Sequence, residues 1–374
     1  MSRTLDKELK DRKVAHRLLR EIEKKRRELS GPLRVMEVCG THTMTVYRYG
    51  LKKLLEEAGI DMLTGPGCPV CITPNEVHEA CLKLLTEREN IIIASFGDMT
   101  RVPTRRGSLQ TAIPAPSSRL KIVYSPQESL ELARGNPDKE VVFFGVGFET
   151  TIPAISLTVK RASQEGIRNY SALTALWLIP PALRAILESG ETKISGFLYP
   201  GHVSTIIGTE PYAFIPREYG VAGAIAGFEP NDILLAIISV LEQIRDGRPS
   251  VANEYRRAVP PSGNPRARAI MEEMLEEKDA IWRGLGKIPR SGLELKNAYA
   301  SYDACQRFGL RLERTSGDLP GCRCGEVLRG VISPVDCPLY AAKCHPDSPY
   351  GPCMVSVEGA CYIHYKFGRE RAKP

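Results

Sequence analysis

The sequence lacks any apolar run of membrane-spanning length, although 43% of its 374 residues are hydrophobic. A membrane-spanning helix needs about 20 consecutive, mostly apolar residues, so no such helix is expected. The start of the chain carries Asp6, Lys7, Glu8 and Lys10, which are unlike the apolar core of a signal peptide. We therefore expect a cytoplasmic protein that does not associate with membranes.

The sequence also lacks a strong excess of charge of one sign. It contains 51 basic and 44 acidic side chains, which give a formal net charge of +7. No basic stripe is interleaved with aromatic residues, as would be typical of a surface that binds nucleic acid. A solvated surface is the favoured interpretation of the charge, and nucleic acid is not an expected partner.

Cysteine, in contrast, is abundant, with 11 residues. In a cytoplasmic protein, this number favours metal or redox chemistry over a framework of structural disulfides. Cys68 and Cys71 follow a Gly-Pro-Gly segment that can be neither helix nor strand. Residues 73–76 then have the pattern of a capping box at the start of a helix. The positive end of that helix would favour thiolates at both cysteines, and a helix start expected after Thr43 would do the same for Cys39.

A short β-rich run, a loop and a helix alternate along the chain from residue 33. This alternation predicts parallel sheets with helices on both faces. We predict an α/β fold with two Rossmann-like parallel-sheet domains, and a (β/α)₈ barrel is the competing architecture. The eight β-rich runs cover residues 33–38, 61–63, 91–95, 121–124, 141–144, 172–179, 194–198 and 221–226.

The predicted domain boundaries follow from these runs. The first α/β domain is predicted over residues 31–124, and it contains Cys39, Cys68 and Cys71. The second is predicted over residues 125–260. A third, smaller unit joins residues 1–30 to residues 261–374. Helices are predicted over residues 4–29, 231–258 and 266–279.

Residues 305–361 hold seven of the eleven cysteines among many glycine and proline turns. So few apolar residues make a poor core, so a bound metal group is expected to hold this region together. Zinc and an iron–sulfur cluster both accept four thiolates, and the irregular spacing favours [4Fe–4S]. We call residues 322–361 the tail. Its six cysteines exceed four ligands, so two could form a redox-active pair. Cys305 and Cys81 are expected to be packing residues.

Loops that follow parallel strands leave a sheet at one edge, where functional residues collect. Three thiolates with an open coordination position would suit a metal such as iron(II). His42 could be a fourth ligand, a proton donor or an ordinary loop residue. Glu149 and His202 are each weak evidence of a functional site when taken alone. The residues predicted on this edge are Cys39, His42, Cys68, Cys71, Glu149 and His202.

Several segments resemble signature segments of the HypD family of hydrogenase maturation proteins. They are residues 39–43 (CGTHT), 65–71 (GPGCPVC), 147–151 (GFETT), 200–204 (PGHVS), 321–325 (GCRCG) and 354–361 (MVSVEGAC). The resemblance extends over residues 35–367. It implies an assembly factor for the Fe(CN)₂CO group of [NiFe]-hydrogenases rather than a conventional turnover enzyme.

The resemblance also implies cofactors, partners and residue roles. It implies iron(II) that carries CN and CO, one [4Fe–4S] cluster in a Cys-rich iron–sulfur domain, a HypC-type chaperone and a HypE-type cyanide donor. The rival hypotheses are a thiol–disulfide oxidoreductase that uses Cys68 and Cys71, and a zinc-stabilised binding module. The resemblance assigns Cys39, Cys68 and Cys71 to the iron and thiol site, Cys322, Cys337, Cys344 and Cys361 to the cluster, and Cys324 and Cys353 to a redox pair.

We expect Cys39, Cys68 and Cys71 to meet at the mouth of one cleft between the two domains. Each of the two loops that carry them follows a predicted parallel strand, although 29 residues separate Cys39 from Cys68. A separation of more than roughly 15 Å between these two residues would contradict one shared site, because metal–thiolate bonds are about 2.3 Å long.

Overall fold

A computed structural model describes residues 9–114, 117–312 and 318–368. Helices and strands alternate through most of these residues, as the sequence predicts. In chain order the elements are α1 (Arg12–Arg27), β1 (Leu33–Glu37), α2 (Gly40–Arg48), α3 (Leu51–Glu57), β2 (Ile60–Thr64), α4 (Pro69–Ile72), α5 (Asn75–Glu87), β3 (Ile91–Ser95), α6 (Leu109–Ala112), β4 (Leu120–Ile122), α7 (Pro126–Gly135), β5 (Glu140–Gly147), α8 (Ile152–Gln164), β6 (Tyr170–Trp177), α9 (Ile179–Ser189), β7 (Gly196–Tyr199), α10 (Gly201–Ile207), β8 (Ala222–Ile225), α11 (Pro230–Arg245), β9 (Val251–Asn253), α12 (Pro265–Met274), β10 (Leu275–Trp282), β11 (Gly286–Leu295), α13 (Ala304–Phe308), α14 (Cys324–Leu328), α15 (Pro352–Val355) and α16 (Ala360–Ile363).

The first sheet has the strand order β2-β1-β7-β8-β9 and is parallel throughout. Its register aligns the carboxyl ends of the strands. At the end of β1, Glu37 lies beside Thr64 of β2 on one side and beside Leu198 of β7 on the other. The loops that follow these three strands therefore leave the sheet at the same edge.

The second sheet has the order β10-β11-β6-β5-β3-β4, with an antiparallel hairpin, β10–β11, beside four parallel strands. Neither sheet is a continuous segment of the chain. The chain leaves the first sheet after β2, forms β3–β6 of the second, and returns for β7–β9. The predicted boundary near residue 125 falls between β4 and β5, which both pair with β3. Sheet membership therefore divides the chain differently from the predicted boundaries.

Both sheets contribute one face to a shared central core. On β1, Met36 belongs to this core, while Val35 belongs to an outer core with α1 and α11. On β5, Phe144 belongs to the central core and Phe143 to a second outer core. This alternation is that of strands covered on both faces. The central core also contains Cys68, Cys71, Cys324, Cys344, Cys353 and Cys361.

The predicted α/β class with parallel sheets is confirmed, and each of the eight predicted strands is observed. The alternative of a closed (β/α)₈ barrel is wrong, because the strands form two open sheets. The predicted helix over residues 4–29 is wrong in its extent: α1 covers Arg12–Arg27, because Asp11 caps it by accepting the Lys13 N–H, and residues 4–8 lie outside the described residues. In the described part of the chain, no helix is both long enough and apolar enough to cross a bilayer.

Two predicted helices end early, because short strands follow them. The helix predicted over residues 231–258 ends at Arg245, and β9 then adds to the edge of the first sheet. The helix predicted over residues 266–279 ends at Met274, and β10 begins at the next residue. The sequence of β10 is rich in Glu and Lys, which favour helices, but pairing with β11 decides its conformation.

Candidate functional site

The loops that follow β1 and β2 are in direct contact. The Gly40 N–H donates to the carbonyl oxygen of Gly67, with an N···O distance of 3.3 Å. Gly67 has no space for a side chain, because a Cβ there would lie 2.3 Å from the backbone nitrogen of Cys39. The structure therefore places Cys39 next to the loop that carries Cys68, as the shared edge of the sheet predicted.

Cys68 and Cys71 form a disulfide, and their Cα atoms are 5.2 Å apart. Cys68 is the N-cap residue of the short helix α4. The predicted capping box of residues 73–76 is wrong. The Thr73 hydroxyl instead donates to the carbonyl oxygen of Pro69 at 2.7 Å, and α5 begins two residues later, at Asn75.

All three cysteines of the predicted iron site are buried rather than at the mouth of a cleft. The exposed fractions are 7% for Cys39, 3% for Cys68 and 0% for Cys71. The tail lies over the Cys39 loop, where the Thr41 hydroxyl donates to a carboxylate oxygen of Glu358 at 3.1 Å. Access to the three sulfur atoms from solvent is therefore closed in this form of the chain.

The thiol of Cys39 is protonated in this environment, although the residue lies at the N-terminus of α2. Burial, and to a lesser extent the nearby Glu358 carboxylate, raises the pKa of Cys39 to about 12. The backbone N–H groups of Thr41 and His42 lower the pKa, but by less than burial raises it. The expectation that the helix dipole would favour a thiolate is therefore wrong for Cys39.

A buried carboxyl group that the sequence analysis did not single out lies beneath Cys39. One oxygen of Glu37 accepts a hydrogen bond from the Cys39 N–H at 2.9 Å, and the other accepts one from the Thr43 hydroxyl. Burial raises the pKa of Glu37 to about 7. The signal in the sequence was a glutamate at the end of a strand whose other buried residues are apolar, shortly before the cysteine loop.

The ring of Phe228 brings His42 and His202 together, with centroid distances of 5.1 and 3.9 Å. His42 is fully buried, and burial lowers its pKa to about 4. Its Nε2 lies 3.2 Å from the carbonyl oxygen of Ala226, and its Nδ1 has no hydrogen-bond partner among the described residues. His202 is exposed on the other side of Phe228. The buried imidazole is therefore neutral and has one free nitrogen.

Glu149 follows β5 of the second sheet. Its Oε1 accepts the Ile179 N–H at 3.0 Å, while its Oε2 has no partner in the described part of the chain. Burial raises the pKa of Glu149 to about 8. Burial, and to a smaller extent the charge of Glu149, raises the pKa of Tyr212, whose hydroxyl is hydrogen-bonded to the Ser204 hydroxyl.

The six tail cysteines come together at one place. Cys353 is hydrogen-bonded to Cys324 and Cys361. Hydrogen bonds from the Cys324 and Cys353 thiols lower the pKa of Cys361 to about 6. The remaining cysteines lie close by, and a cavity of about 10 Å³ is lined by Cys322, Cys324, Cys337, Cys344 and Cys361.

These residues suit a [4Fe–4S] cluster in the kind and number of their donors. The four cysteines assigned to the cluster by resemblance all line the cavity. Over the described ranges, no three His, Cys, Asp or Glu side chains converge as they would on a single metal ion. Cluster ligands surround a volume instead, since each binds a different iron. The cavity has only about the volume of one water molecule, so the loops of Cys337 and Cys344 must move outward to admit a cluster.

The disulfide lies between the Cys39 loop and the tail. Its helix, α4, packs against α14 and α15, which carry Cys324 and Cys353. The Cys71 Sγ lies 3.9 Å from the carbonyl oxygen of Pro352, the residue before Cys353. The segments that carry the three groups of cysteines are therefore adjacent, in the order Cys39 loop, disulfide helix α4, and helices α14 and α15 with Cys324 and Cys353.

Comparisons with known proteins agree with the sequence motifs. The HypD model, described as the hydrogenase formation hypA family, matches residues 13–368. The chain belongs to the HypD family. It is 43% identical over 371 residues to the hydrogenase maturation factor HypD2 of Bradyrhizobium diazoefficiens, with 97% of both chains covered. It is 40% identical to the hydrogenase maturation factors HypD of Rhodobacter capsulatus, over 373 residues and 98% of both chains, and of Escherichia coli, over 343 residues and 91% of both chains.

The HypD family resemblance is thus confirmed along nearly the whole chain. Within this HypD fold, the structure brings Cys39 together with Cys68 and Cys71, and His42 together with His202. Glu149 lies farther away, in the second sheet. The sequence analysis missed the surrounding groups that set the electrostatics, because their roles depend on burial. They are Glu37, Tyr212 and Glu358.

Proposed function

We propose that the chain is the scaffold on which the Fe(CN)₂CO group of [NiFe]-hydrogenases is assembled. Its membership of the HypD family supports a role in hydrogenase maturation. The observation that carries the proposal is the adjacency of the three sulfur groups: Cys39 contacts the disulfide loop, and the disulfide helix packs against the helices of Cys324 and Cys353. An iron site, a reducible pair and its source of electrons would thus be in contact.

In this proposal, Cys39 and the reduced Cys68 and Cys71 hold the iron(II) substrate. The disulfide must first be reduced, because a thiolate is the form of cysteine that binds a metal. Metal binding displaces the thiol proton, and this offsets the raised pKa of Cys39. The Nδ1 atom of His42, which has no partner among the described residues, is a further donor to iron or to a ligand.

The tail would supply the electrons. Cys322, Cys337, Cys344 and Cys361 are the proposed ligands of the [4Fe–4S] cluster, which when bound supplies single electrons. Reduction of the Cys68–Cys71 bond needs two electrons and two protons. Oxidation of the Cys324 and Cys353 thiols to a disulfide releases two electrons and two protons. Thiol–disulfide exchange between the two pairs is therefore balanced.

The proposal includes partners and a location. A HypC-type chaperone and a HypE-type cyanide donor would act on the iron, as the family resemblance implies. The cytoplasm, where thiols are kept reduced, is the proposed location. Because the tail covers the Cys39 loop through the contact between Thr41 and Glu358, this contact must open before a partner reaches the iron.

A thiol–disulfide oxidoreductase is the second candidate function, and the Cys68–Cys71 disulfide within a C-x-x-C turn favours it. Such an enzyme must present a sulfur atom to its protein substrate. Cys68 and Cys71 are both buried, which opposes this role. Rapid disulfide exchange with unrelated protein substrates would support the second candidate over the scaffold.

Infrared spectroscopy of the anaerobically purified chain with its HypC-type partner tests the proposal. We expect bands in the CN and CO stretching region for the wild type and for Cys305→Ala, a control outside the three sulfur groups. Cys39→Ala should retain its fold, because a loop thiol rather than a core side chain is removed. It should lose the bands, because Cys39 is a proposed ligand of the iron. Bands that persist in Cys39→Ala would exclude Cys39 as a required ligand, and a wild type that binds iron but shows no bands would contradict the scaffold role.

A further inference from the structure

The positive charge of the chain is concentrated on α1. This helix contains eight Lys or Arg residues and two Glu residues, which gives it a formal charge of +6, while the whole chain carries +7. Outside α1, basic and acidic side chains are therefore almost equal in number. The net charge of the protein is thus a property of one helix rather than of its whole surface.

Most of the cations of α1 lie in one line that faces solvent. The apolar face of the helix, with Leu18, Leu19 and Ile22, is buried in the core that α1 shares with α11. On the opposite side, cations recur at alternating intervals of four and three residues, and this spacing forms a single line along an α-helix. At the rise of an α-helix, the line is about 21 Å long. We call it the basic stripe, and its residues, all exposed, are Lys13, Arg17, Arg20, Lys24 and Arg27.

The basic stripe has no acidic counterpart in the part of the chain that the structure describes. Over the described ranges, none of its five side chains forms an ion pair. Two other cations of α1 instead fix the helix in place. Lys25 pairs with Glu242 of α11 at 2.7 Å, and Arg26 donates to the Gly59 carbonyl oxygen at 2.9 Å. The protein therefore holds the stripe in a fixed orientation and leaves its charges unpaired.

The stability of α1 does not explain the stripe. Successive cations of the stripe are three or four residues apart, and like charges at these spacings weaken a helix. The helix dipole favours Lys24 and Arg27, which lie in the last turn, but it disfavours Lys13 in the first turn, where α1 has no acidic residue. A stripe that weakens its own helix indicates a partner that carries the opposite charge.

Two exposed carboxylates border the stripe and limit the shape of that partner. Glu21 lies on one side of the stripe and Glu23 on the other, each about a quarter of a turn from its centre. A broad polyanion, such as a duplex nucleic acid or an anionic bilayer, would meet these carboxylates as well as the cations. α1 also contains no Phe, Tyr or Trp to stack on bases, and its buried apolar face cannot enter a bilayer. A single line of acidic side chains fits between the two carboxylates.

We propose that the basic stripe binds an acidic α-helix of a partner protein. Alternation of four and three residues is the spacing of a coiled-coil seam, so a partner helix with Asp or Glu at the same spacing places a carboxylate opposite each cation. In this geometry, Glu21 and Glu23 hold the positions beside the seam, where they pair with Lys or Arg of the partner. Two copies of the stripe repel each other, so a second copy of this chain is not the partner.

Fluorescence anisotropy of labelled peptides, with the full-length chain as the titrant, tests the proposal. The matched peptide has about 20 residues, mostly Ala, with one Glu for each cation of the stripe at the same spacing, and this length is sufficient for an Ala-rich helix. The scattered peptide has the same composition but distributes its Glu residues around the helix. We expect the matched peptide to bind about tenfold more tightly in about 0.1 M NaCl. Most of this difference should be lost in about 1 M NaCl, because the screening length falls from about 10 Å to about 3 Å.

Charge reversal of the stripe is the decisive variant. Arg17→Glu/Arg20→Glu should bind the matched peptide about tenfold more weakly than the wild type does, and it should bind a peptide in which Lys replaces each Glu. The control is Arg105→Glu/Arg106→Glu, which makes the same change of charge at two exposed residues before α6 and should bind the matched peptide like the wild type. Circular dichroism checks the fold. If the reversed chain is unfolded, Arg20→Gln decides, with a smaller loss expected.

Equal binding of the matched and scattered peptides, or equal binding by the stripe variant and the wild type, would overturn the proposal and leave the stripe a solvated surface. Stripe-dependent binding of transfer RNA, duplex DNA or phosphatidylserine vesicles that is tighter than that of the matched peptide would overturn it in favour of that polyanion. The titration involves neither iron nor the cysteines. Failure of the infrared experiment would therefore not affect this result, and failure of peptide binding would leave the scaffold function standing.

Discussion

At the scale of single residues, Glu37 and Glu358 are carboxyl groups buried near Cys39, and Glu149 is buried farther away, in the second sheet. Burial raises the pKa values of Glu37 to about 7 and of Glu149 to about 8, and it also raises the pKa of Glu358. A carboxyl group that keeps its proton near neutral pH avoids most of the cost of a buried charge. Glu37 and Glu149 can therefore exchange protons near neutral pH.

The raised pKa of Glu149 predicts a pH dependence of stability. Between about pH 4.5 and 8, the folded chain keeps the Glu149 proton while the unfolded chain releases it. Unfolding then releases protons, so the free energy of unfolding falls as pH rises through this window, by up to about 1.4 kcal/mol per pH unit. Glu149→Gln removes this titration and keeps an oxygen for the Ile179 N–H. Its stability relative to the wild type should therefore increase from pH 5 to pH 8.

Urea denaturation midpoints of both proteins at pH 5, 6, 7 and 8 measure this difference. Glu210→Gln is a matched control, since Glu210 lies on the surface in an exposed pair with Arg217. A constant difference between Glu149→Gln and the wild type across these pH values would show that Glu149 is already ionised in the folded chain.

Sequence patterns placed Cys39 beside Cys68 and Cys71 but did not predict its ionisation. Cys39 was predicted to be a thiolate because a helix start was expected after Thr43, and α2 starts even closer, at Gly40. Its pKa is raised instead, because the tail covers it and brings Glu358 close. Burial by a segment more than 300 residues away in the chain leaves no local signal, so the sequence could not supply this part of the site.

At the scale of elements, glycine makes the contact between the two sulfur loops possible. A Cβ on Gly67 would lie 2.5 Å from the Cα of Cys39, and backbone atoms cannot rotate away as a side chain can. Gly67→Ala should therefore push the Cys39 loop away from the disulfide loop. We expect a loss of stability of about 1–3 kcal/mol, as for other overpacked positions.

Two measurements check this change. The urea midpoint should fall, and iodoacetamide should modify Cys39 faster than in the wild type, because the displaced loop is less buried. Gly135→Ala is the control, since a Cβ at the end of α7 would meet no atom within 4 Å. Equal midpoints and equal Cys39 reactivity in the two variants would mean that the added methyl group is accommodated without separating the loops.

Strand positions were largely predictable from the sequence, whereas the β10–β11 hairpin was not. Runs such as residues 91–95 and 141–144 are apolar on both faces and are bounded by loops, so they indicate buried parallel strands locally. Pairing with β11 places Ala280 and Trp282 of β10 in the central core, but the burial pattern of this strand does not alternate regularly. That pairing produces the turn at Arg283, whose N–H donates to the last carbonyl oxygen of α4, so this contact could not be predicted either.

At the scale of the whole molecule, the tail connects the two sheets. On the first sheet, Thr41 donates to Glu358. On the second, Arg101 donates to the Val355 carbonyl oxygen at 3.1 Å, and the Ser356 hydroxyl donates to Asp98 at 3.0 Å. Alternation of strands and helices does not reveal which strands pair. The return of the chain to the first sheet after β6, and the contacts of the tail with both sheets, therefore could not be predicted from the sequence. Substitution of a tail cysteine should therefore also alter the structure around Cys39.

The cluster assignment makes a prediction for the whole molecule. Cys337→Ala or Cys344→Ala should each remove most of the iron, the acid-labile sulfide and the brown absorbance of the anaerobically purified chain. Each should also lower the urea midpoint, because loss of the cluster should loosen the packing of α14 and α15 against the disulfide helix. Cys305→Ala, on α13 outside the cavity, is the control and should keep the full absorbance. Cys353→Ala should also keep it if Cys353 belongs to the redox pair. Full absorbance in Cys337→Ala would exclude Cys337 as a ligand, and a colourless wild type that contains zinc would exclude the cluster.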